Sequence, residues 1–278
     1  MIFGLSRSLV LKIAIYGTLV FSFGFFLVED WLASNHTYRG GITLSNLTDA
    51  FASSADSFAW LILLAIFELE TWQLDDKKLT RSVTLVFAGV SAIAYGVIVL
   101  AFLGYYAQAR YTANFEPAPD TLCESIGGDA LSLATGPDNY IELEPGTCKD
   151  QFRPGFLYNA DKGILSPPDV HSFMVKMAWT DVLNSFTWLV VVVVLQIDVW
   201  LELAGKRSGS VLGISKGIKL LLYSILALCC VYWFYHLQVA DGIDALFWLL
   251  AFFLIELNMI AWHDEKEAGD ETALPAPN

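Results

Sequence analysis

The chain has 278 residues, 55% of them hydrophobic, and a formal net charge of −13. Its mean hydropathy of +0.53, carried by six separate apolar runs, excludes an ordinary soluble domain. The acidic balance excludes a nucleic-acid surface, which needs a basic stripe.

The runs are 10–28, 57–72, 83–107, 178–203, 216–238 and 244–262. Each is near the ~20 residues that cross a bilayer core. The first has a basic start at Arg7 and Lys12, but its apolar part, Ile13 to Val28, is longer and more aromatic than a signal-peptide core. No small-x-small cleavage site follows it, so it reads as a retained helix. The loop 29–55 holds "YRGGITLSN", one turn, and two sequons at Asn35 and Asn46, glycosylated if the source is eukaryotic. The second run reaches spanning length only with Glu68 and Glu70 inside the membrane or at its inner face. In the third, Ala88, Ala92 and Gly96 form a stripe suited to close helix packing.

The loop 108–176 is long enough for a small subdomain. Its "GPDN" and "EPGT" read as turns and its "YIELE" alternates as a short strand does. Cys123 and Cys148 lie there, on the oxidising side, where a disulfide persists and is worth roughly 3 kcal/mol. The fourth run opens near Asp181 and Asn184, the sixth near Asp241 and Asp244. These four read as helix caps. The link 204–217, "AGKRSGSVLGISKG", is a basic connector without phosphate-loop spacing. Cys229 and Cys230 read as small apolar filler. The acidic tail reads as disordered.

Lys and Arg set the orientation. With both termini cytoplasmic, the inner stretches hold Arg7, Lys12, Lys77, Lys78, Arg81, Lys206, Arg207, Lys216, Lys219 and Lys266. The expected fold is therefore an all-α integral membrane protein of the plasma or bacterial inner membrane. Six transmembrane helices form three tandem, parallel-oriented hairpins, with a disulfide-closed extracytoplasmic loop subdomain. Residues 1–107 carry helices one to three, 108–176 the subdomain, 177–263 helices four to six, and 264–278 the tail.

Helices two, four and six align without gaps. Trp60, Trp188 and Trp248 match, as do Asp56, Asn184 and Asp244. Glu68, Gln196 and Glu256 match, and so do Glu70, Asp198 and Asn258. Lys12 matches Lys219 in helices one and five. The Trp residues, with Trp72, Trp200, Trp262, Tyr105, Tyr106, Trp233 and Tyr235, read as interfacial belts.

Glu68, Gln196 and Glu256 each follow their Trp by eight residues, which is ~12 Å along a helix axis. A charge facing lipid there costs at least ~2.5 kcal/mol, so these side chains are expected to converge as a cation or proton pathway. Glu70, Asp198 and Asn258 lie on another face and form a second polar ring or ion pairs with Lys12 and Lys219. His263 shares the Glu256 face. No zinc spacing, cofactor motif or nucleophile–His pattern occurs, and nothing points to catalysis. The leading expectation is transport of a small cation or proton. The rival is a non-transporting scaffold or accessory subunit that meets a protein partner through the long loop or the acidic tail.

Overall fold

The computed structural model describes residues 7–70, 80–125, 131–204 and 209–255. The chain is mostly helical. Its elements are α1 (Arg7–Thr37), α2 (Leu47–Ala50), α3 (Ala52–Glu68), α4 (Arg81–Ala113), β1 (Glu116–Pro117), α5 (Leu122–Ser125), β2 (Leu131–Gly136), β3 (Asn139–Leu143), α6 (Pro145–Gln151), β4 (Leu157–Asn159), β5 (Ile164–Ser166), α7 (Pro168–Leu203) and α8 (Gly209–Tyr235). A last helix, α9, covers 239–255. Four helices are long and apolar enough to cross a membrane: Leu9–Thr37, Arg81–Ala113, Pro168–Leu201 and Gly213–Tyr235. They present large apolar side chains outward, such as Phe21, 75% exposed, and Ile93, 70% exposed. In water such a surface would aggregate; hydrocarbon accepts it.

The described residues fall into two compact units, one running from Ser22 to Lys219 and the other made of the chain up to Phe21 and from Leu220 onward. In the first unit, α1 and α3 run antiparallel, since Asp30 meets Ser54 and the Phe23 and Phe58 rings lie 5.4 Å apart. α4 and α7 also run antiparallel, with Phe102 near Phe186, Tyr106 near Trp179 and Thr112 near His171. α4 packs on both α3 and α7. The close approach comes from small side chains: Ala94, Ala101, Gly104 and Ala109 are buried on α4. At Gly104 the backbone carbonyl of Thr48 sits where a Cβ would go. The expected seam of Ala88, Ala92 and Gly96 is wrong, because all three are exposed. Small residues occur on both faces of α4, and among the described residues it is the other face that is buried.

The long loop folds as a five-stranded sheet in the order β1-β4-β5-β2-β3. The chain is thus not all-α. The strands are two to six residues long, so the sheet needs a second fastening. Cys123 and Cys148 supply it as a disulfide. Around the bridge Leu122, Leu131, Leu143 and Leu165 are buried, with Phe152, Phe156 and Tyr158 packed against them. "YIELE" supplies most of β3, and "GPDN" makes the β2–β3 turn. "EPGT" instead opens α6, with Pro145 in its first turn, where its missing N–H costs nothing.

The sheet is tied to the helix ends. Asn159 Nδ2 donates to the Tyr111 and Asn114 carbonyls at the end of α4. His171 Nε2 lies 2.9 Å from the Thr112 carbonyl oxygen. Arg39 donates to Ser132 at 2.6 Å, and His36 Nδ1 lies 2.8 Å from the same hydroxyl. Carbonyls that a helix end leaves without partners are satisfied in this way. α4 and α7 extend beyond the apolar runs to reach the sheet, so the segment between them is shorter than the expected loop of 108–176.

In the second unit α8 and α9 are joined by three residues, 236–238. Leu237 N–H donates to the Phe234 carbonyl and Gln238 N–H to the Trp233 carbonyl, with Leu237 at φ 61°. This is a Schellman end whose left-handed position carries leucine instead of glycine. Leu237 is exposed, so Leu237→Gly loses little packing and relieves strain. Thermal unfolding in detergent should show a gain of roughly 0.5–1 kcal/mol, the strain less the added unfolded-chain entropy. A lower melting temperature would contradict the strain argument.

Candidate functional site

Toward the sheet end of the first unit, four helices place polar side chains in an otherwise apolar interior. Asp30 comes from α1, Ser53, Ser54 and Asp56 from α3, Tyr105 from α4, and Asp181, Asn184 and Ser185 from α7. Asp30 is 8% exposed. Its Oδ2 accepts the Ser54 N–H at 2.9 Å and the Ser54 hydroxyl at 2.7 Å. The cap position of α3 is Phe51, which has no side-chain acceptor. Asp30 therefore caps α3 from a neighbouring helix, satisfying an orphan N–H and favouring the positive helix end. This role is structural.

Asp56 differs. The Trp60 indole N–H, one turn on, donates to its carboxylate. Its Oδ1 is fully buried and accepts no hydrogen bond among the described residues. The same holds for Oδ1 of Asn184. Ser185, 1% exposed, has an Oγ without a partner among the described residues. It lies one turn from Asp181 on one face of α7. Tyr105 lies close enough to feel the charges of Asp56, Asp181 and Asp30, and it is hydrogen-bonded to Ser53, which also reaches Asp30. Buried polar atoms are normally satisfied, so the Oδ1 atoms of Asp56 and Asn184 and the Oγ of Ser185 stand out among the described residues. Asp56, Asp181, Asn184 and Tyr105 are half-buried.

The cap reading of Asp181 and Asn184 is overturned. α7 begins at Pro168, so both sit well inside it. The belt reading of Trp60, Trp188 and Trp248 is overturned as well, since all three are buried. Trp60 and Trp188 pack with ring centroids 5.7 Å apart. Trp233 is buried too, while Trp31, Tyr106, Trp179, Trp200 and Tyr235 are among the exposed aromatics.

Of the residues predicted to line a pathway, Glu68 ends α3 half-buried and Gln196 is exposed on α7. Glu70 is exposed, and Lys12 is half-buried on α1. Glu256, Asn258 and His263 lie outside the described residues. One predicted pair is present: Lys219 Nζ is 3.1 Å from Asp198 Oδ2, with side chains 23% and 22% exposed. Ser215 donates to the same oxygen at 2.6 Å. At the end of α7 away from the sheet, the acid is thus a neutralised clasp between α7 and α8.

Among the described residues no three His, Cys, Asp or Glu side chains are grouped to hold a metal ion. Compared with family models, curated proteins and solved structures, the chain matches none.

Proposed function

We propose that the chain is a multi-pass membrane protein that carries protons, with Asp56 as the group that takes up and releases them. The buried Oδ1 of Asp56, with no hydrogen bond among the described residues, carries this reading. An ionised carboxylate in such surroundings is costly unless it can be neutralised, and a proton is the smallest group that does so. Ionisable side chains within spanning helices mark proton relays. Asn184 and Tyr105 supply the polar surroundings, and Glu68 of α3 and Gln196 of α7 the inner half of the same path; Glu256 lies outside the described residues. The six helices act as three hairpins in a row. The disulfide and the Lys/Arg distribution support a sheet outside and both termini in the cytoplasm.

The rival reading, a subunit that holds a partner, draws on two features. Asp198 is satisfied by Lys219 and Ser215 without any transported ion. The sheet carries a cavity of about 620 Å³ bordered by Tyr38, Arg39, Tyr158 and Lys162, within the size range of small-molecule sites.

Proton flux into proteoliposomes separates the two. Asp30 is unsuitable for the test, because its removal also uncaps α3. Asp56→Asn keeps size and hydrogen bonding, so the fold should survive. Under the proposal it lowers flux by roughly tenfold or more at an unchanged melting temperature. Equal flux in Asp56→Asn and the wild type would contradict the assignment of Asp56, and a wild type with no flux would favour the partner-holding reading.

A further inference from the structure

The loop 160–163 between β4 and β5 is held in one shape. Asn159 Oδ1 accepts the Lys162 N–H at 3.1 Å, its Nδ2 is fixed on the end of α4, and Gly163 takes the left-handed position at φ 64°. This places the Lys162 side chain against the helix ends. Its Nζ lies 3.6 Å from the centre of the Tyr38 ring, just past α1, and 4.9 Å from that of Tyr111 on α4. A ring face attracts an ammonium but gives its N–H groups no oxygen acceptor. No carboxylate among the described residues forms an ion pair with Lys162. Asp49 and Asp161 act on it only through longer-range charge.

The Tyr38 hydroxyl is buried and makes no hydrogen bond among the described residues. Burial raises its pKa, so the hydroxyl keeps its proton. Arg39 follows in the chain. One of its terminal nitrogens donates to Ser132 at 2.6 Å, and the other reaches Glu142 only at 3.5 Å. Further N–H groups of the guanidinium fork remain for another partner. All three residues border the cavity of about 620 Å³. Their side chains offer donors, and what they lack is an acceptor. Leu122, Leu131 and Tyr158 add an apolar wall. Gly40, Gly41 and Asp161 at its border are exposed, so the cavity opens to water. Its volume suits an organic molecule better than a bare inorganic ion.

We propose that this cavity binds a small organic anion. The carboxylate or phosphate group of the ligand is held by the Lys162 ammonium, the Tyr38 hydroxyl and the Arg39 guanidinium, and its apolar part by the wall opposite. Charge-assisted hydrogen bonds of this kind are the strong ones. The site is separate from the proton pathway, since neither Asp30 nor Asp56 borders it.

The test is calorimetric titration of the full chain in an uncharged maltoside detergent. The probes are phenyl phosphate, benzoate and, as the uncharged control, benzyl alcohol. At least one of the two anions should bind, less tightly as salt is added, and the alcohol should not. Tyr38→Phe keeps the ring on which the ammonium rests and removes an oxygen that has no partner among the described residues. Its melting temperature should therefore stay at the wild-type value. It should bind the anion roughly tenfold more weakly, as expected for one hydrogen bond to a charged group. Lys162→Met should bind it more weakly still. Binding of neither anion, equal binding of the alcohol, or full affinity in both variants would overturn the inference and leave Lys162 as a clamp that holds the sheet to the helix ends.

Discussion

Gly104→Val is expected to leave little folded protein in the membrane. A side chain at 104 meets the backbone carbonyl of Thr48 and, at 3.1 Å, the Cβ of Ala52. Neither is the end of a flexible side chain, so rotamer changes cannot relieve the contact. α2 and the start of α3 would have to move away from α4. Overpacking costs typically 1–3 kcal/mol and more where backbone must shift, so the loss should be about 3 kcal/mol or above. It would also disturb Gln108, whose Nε2 donates to the Asp49 carbonyl at 2.7 Å, and the α3 cap on which Asp56 depends. Gly96→Val is the control. Nothing lies within 4 Å of a Cβ there, so its stability should stay within about 0.5 kcal/mol of the wild type. Melting curves of the two variants in one detergent decide the matter. Equal effects would mean that the α2–α4 contact is not as described.

The second large effect is expected at the Asp198–Lys219 clasp. Lys219→Ala takes from a mostly buried carboxylate the ammonium 3.1 Å away, while the Ser215 hydroxyl still donates to it. Removing one partner of a buried pair costs about 3–5 kcal/mol. These side chains keep some exposure, so about 2 kcal/mol is the expected loss. Exchanging the two residues, Asp198→Lys with Lys219→Asp, should recover part of it, whereas each single change should not. Additive losses in the double variant would show that the two groups do not act as a pair. Proton flux, corrected for folded protein, should be unaffected under the clasp reading.

Much of the architecture was legible because it rests on local signals. Runs of apolar residues marked the long apolar helices, and two cysteines in one long loop marked the disulfide. The short α8–α9 link was legible because Asp241 reads as the start of the last helix almost directly after the preceding run. Helix extent was not legible. Residues 168–176 are polar enough to read as loop, yet Pro168 starts a helix that continues into the apolar run. That extension makes Asp181 and Asn184 interior groups, where a later helix start had made them caps. The sheet was only partly legible, since β1, β4 and β5 have two or three residues each and no periodicity can be read from so few. Asp30 and Ser54 are 24 residues apart, and nothing local links them. A signal for Asp56 and Asn184 did exist: each precedes a Trp by four residues, as Asp244 does, which is one helical turn. Taken as an indole clasp on a polar oxygen, that spacing points to the cluster through residue order alone.

The central claim is that carboxyl groups at the sheet end of the helices exchange protons, with Asp56 foremost. Infrared difference spectroscopy of the full chain in lipid, recorded as pH is stepped, observes this directly, because a protonated carboxyl has a carbonyl band that its carboxylate lacks. A carboxyl band that grows as pH falls and that Asp56→Asn diminishes is the predicted result. A wild-type spectrum that Asp56→Asn leaves unchanged across the whole pH range would contradict it.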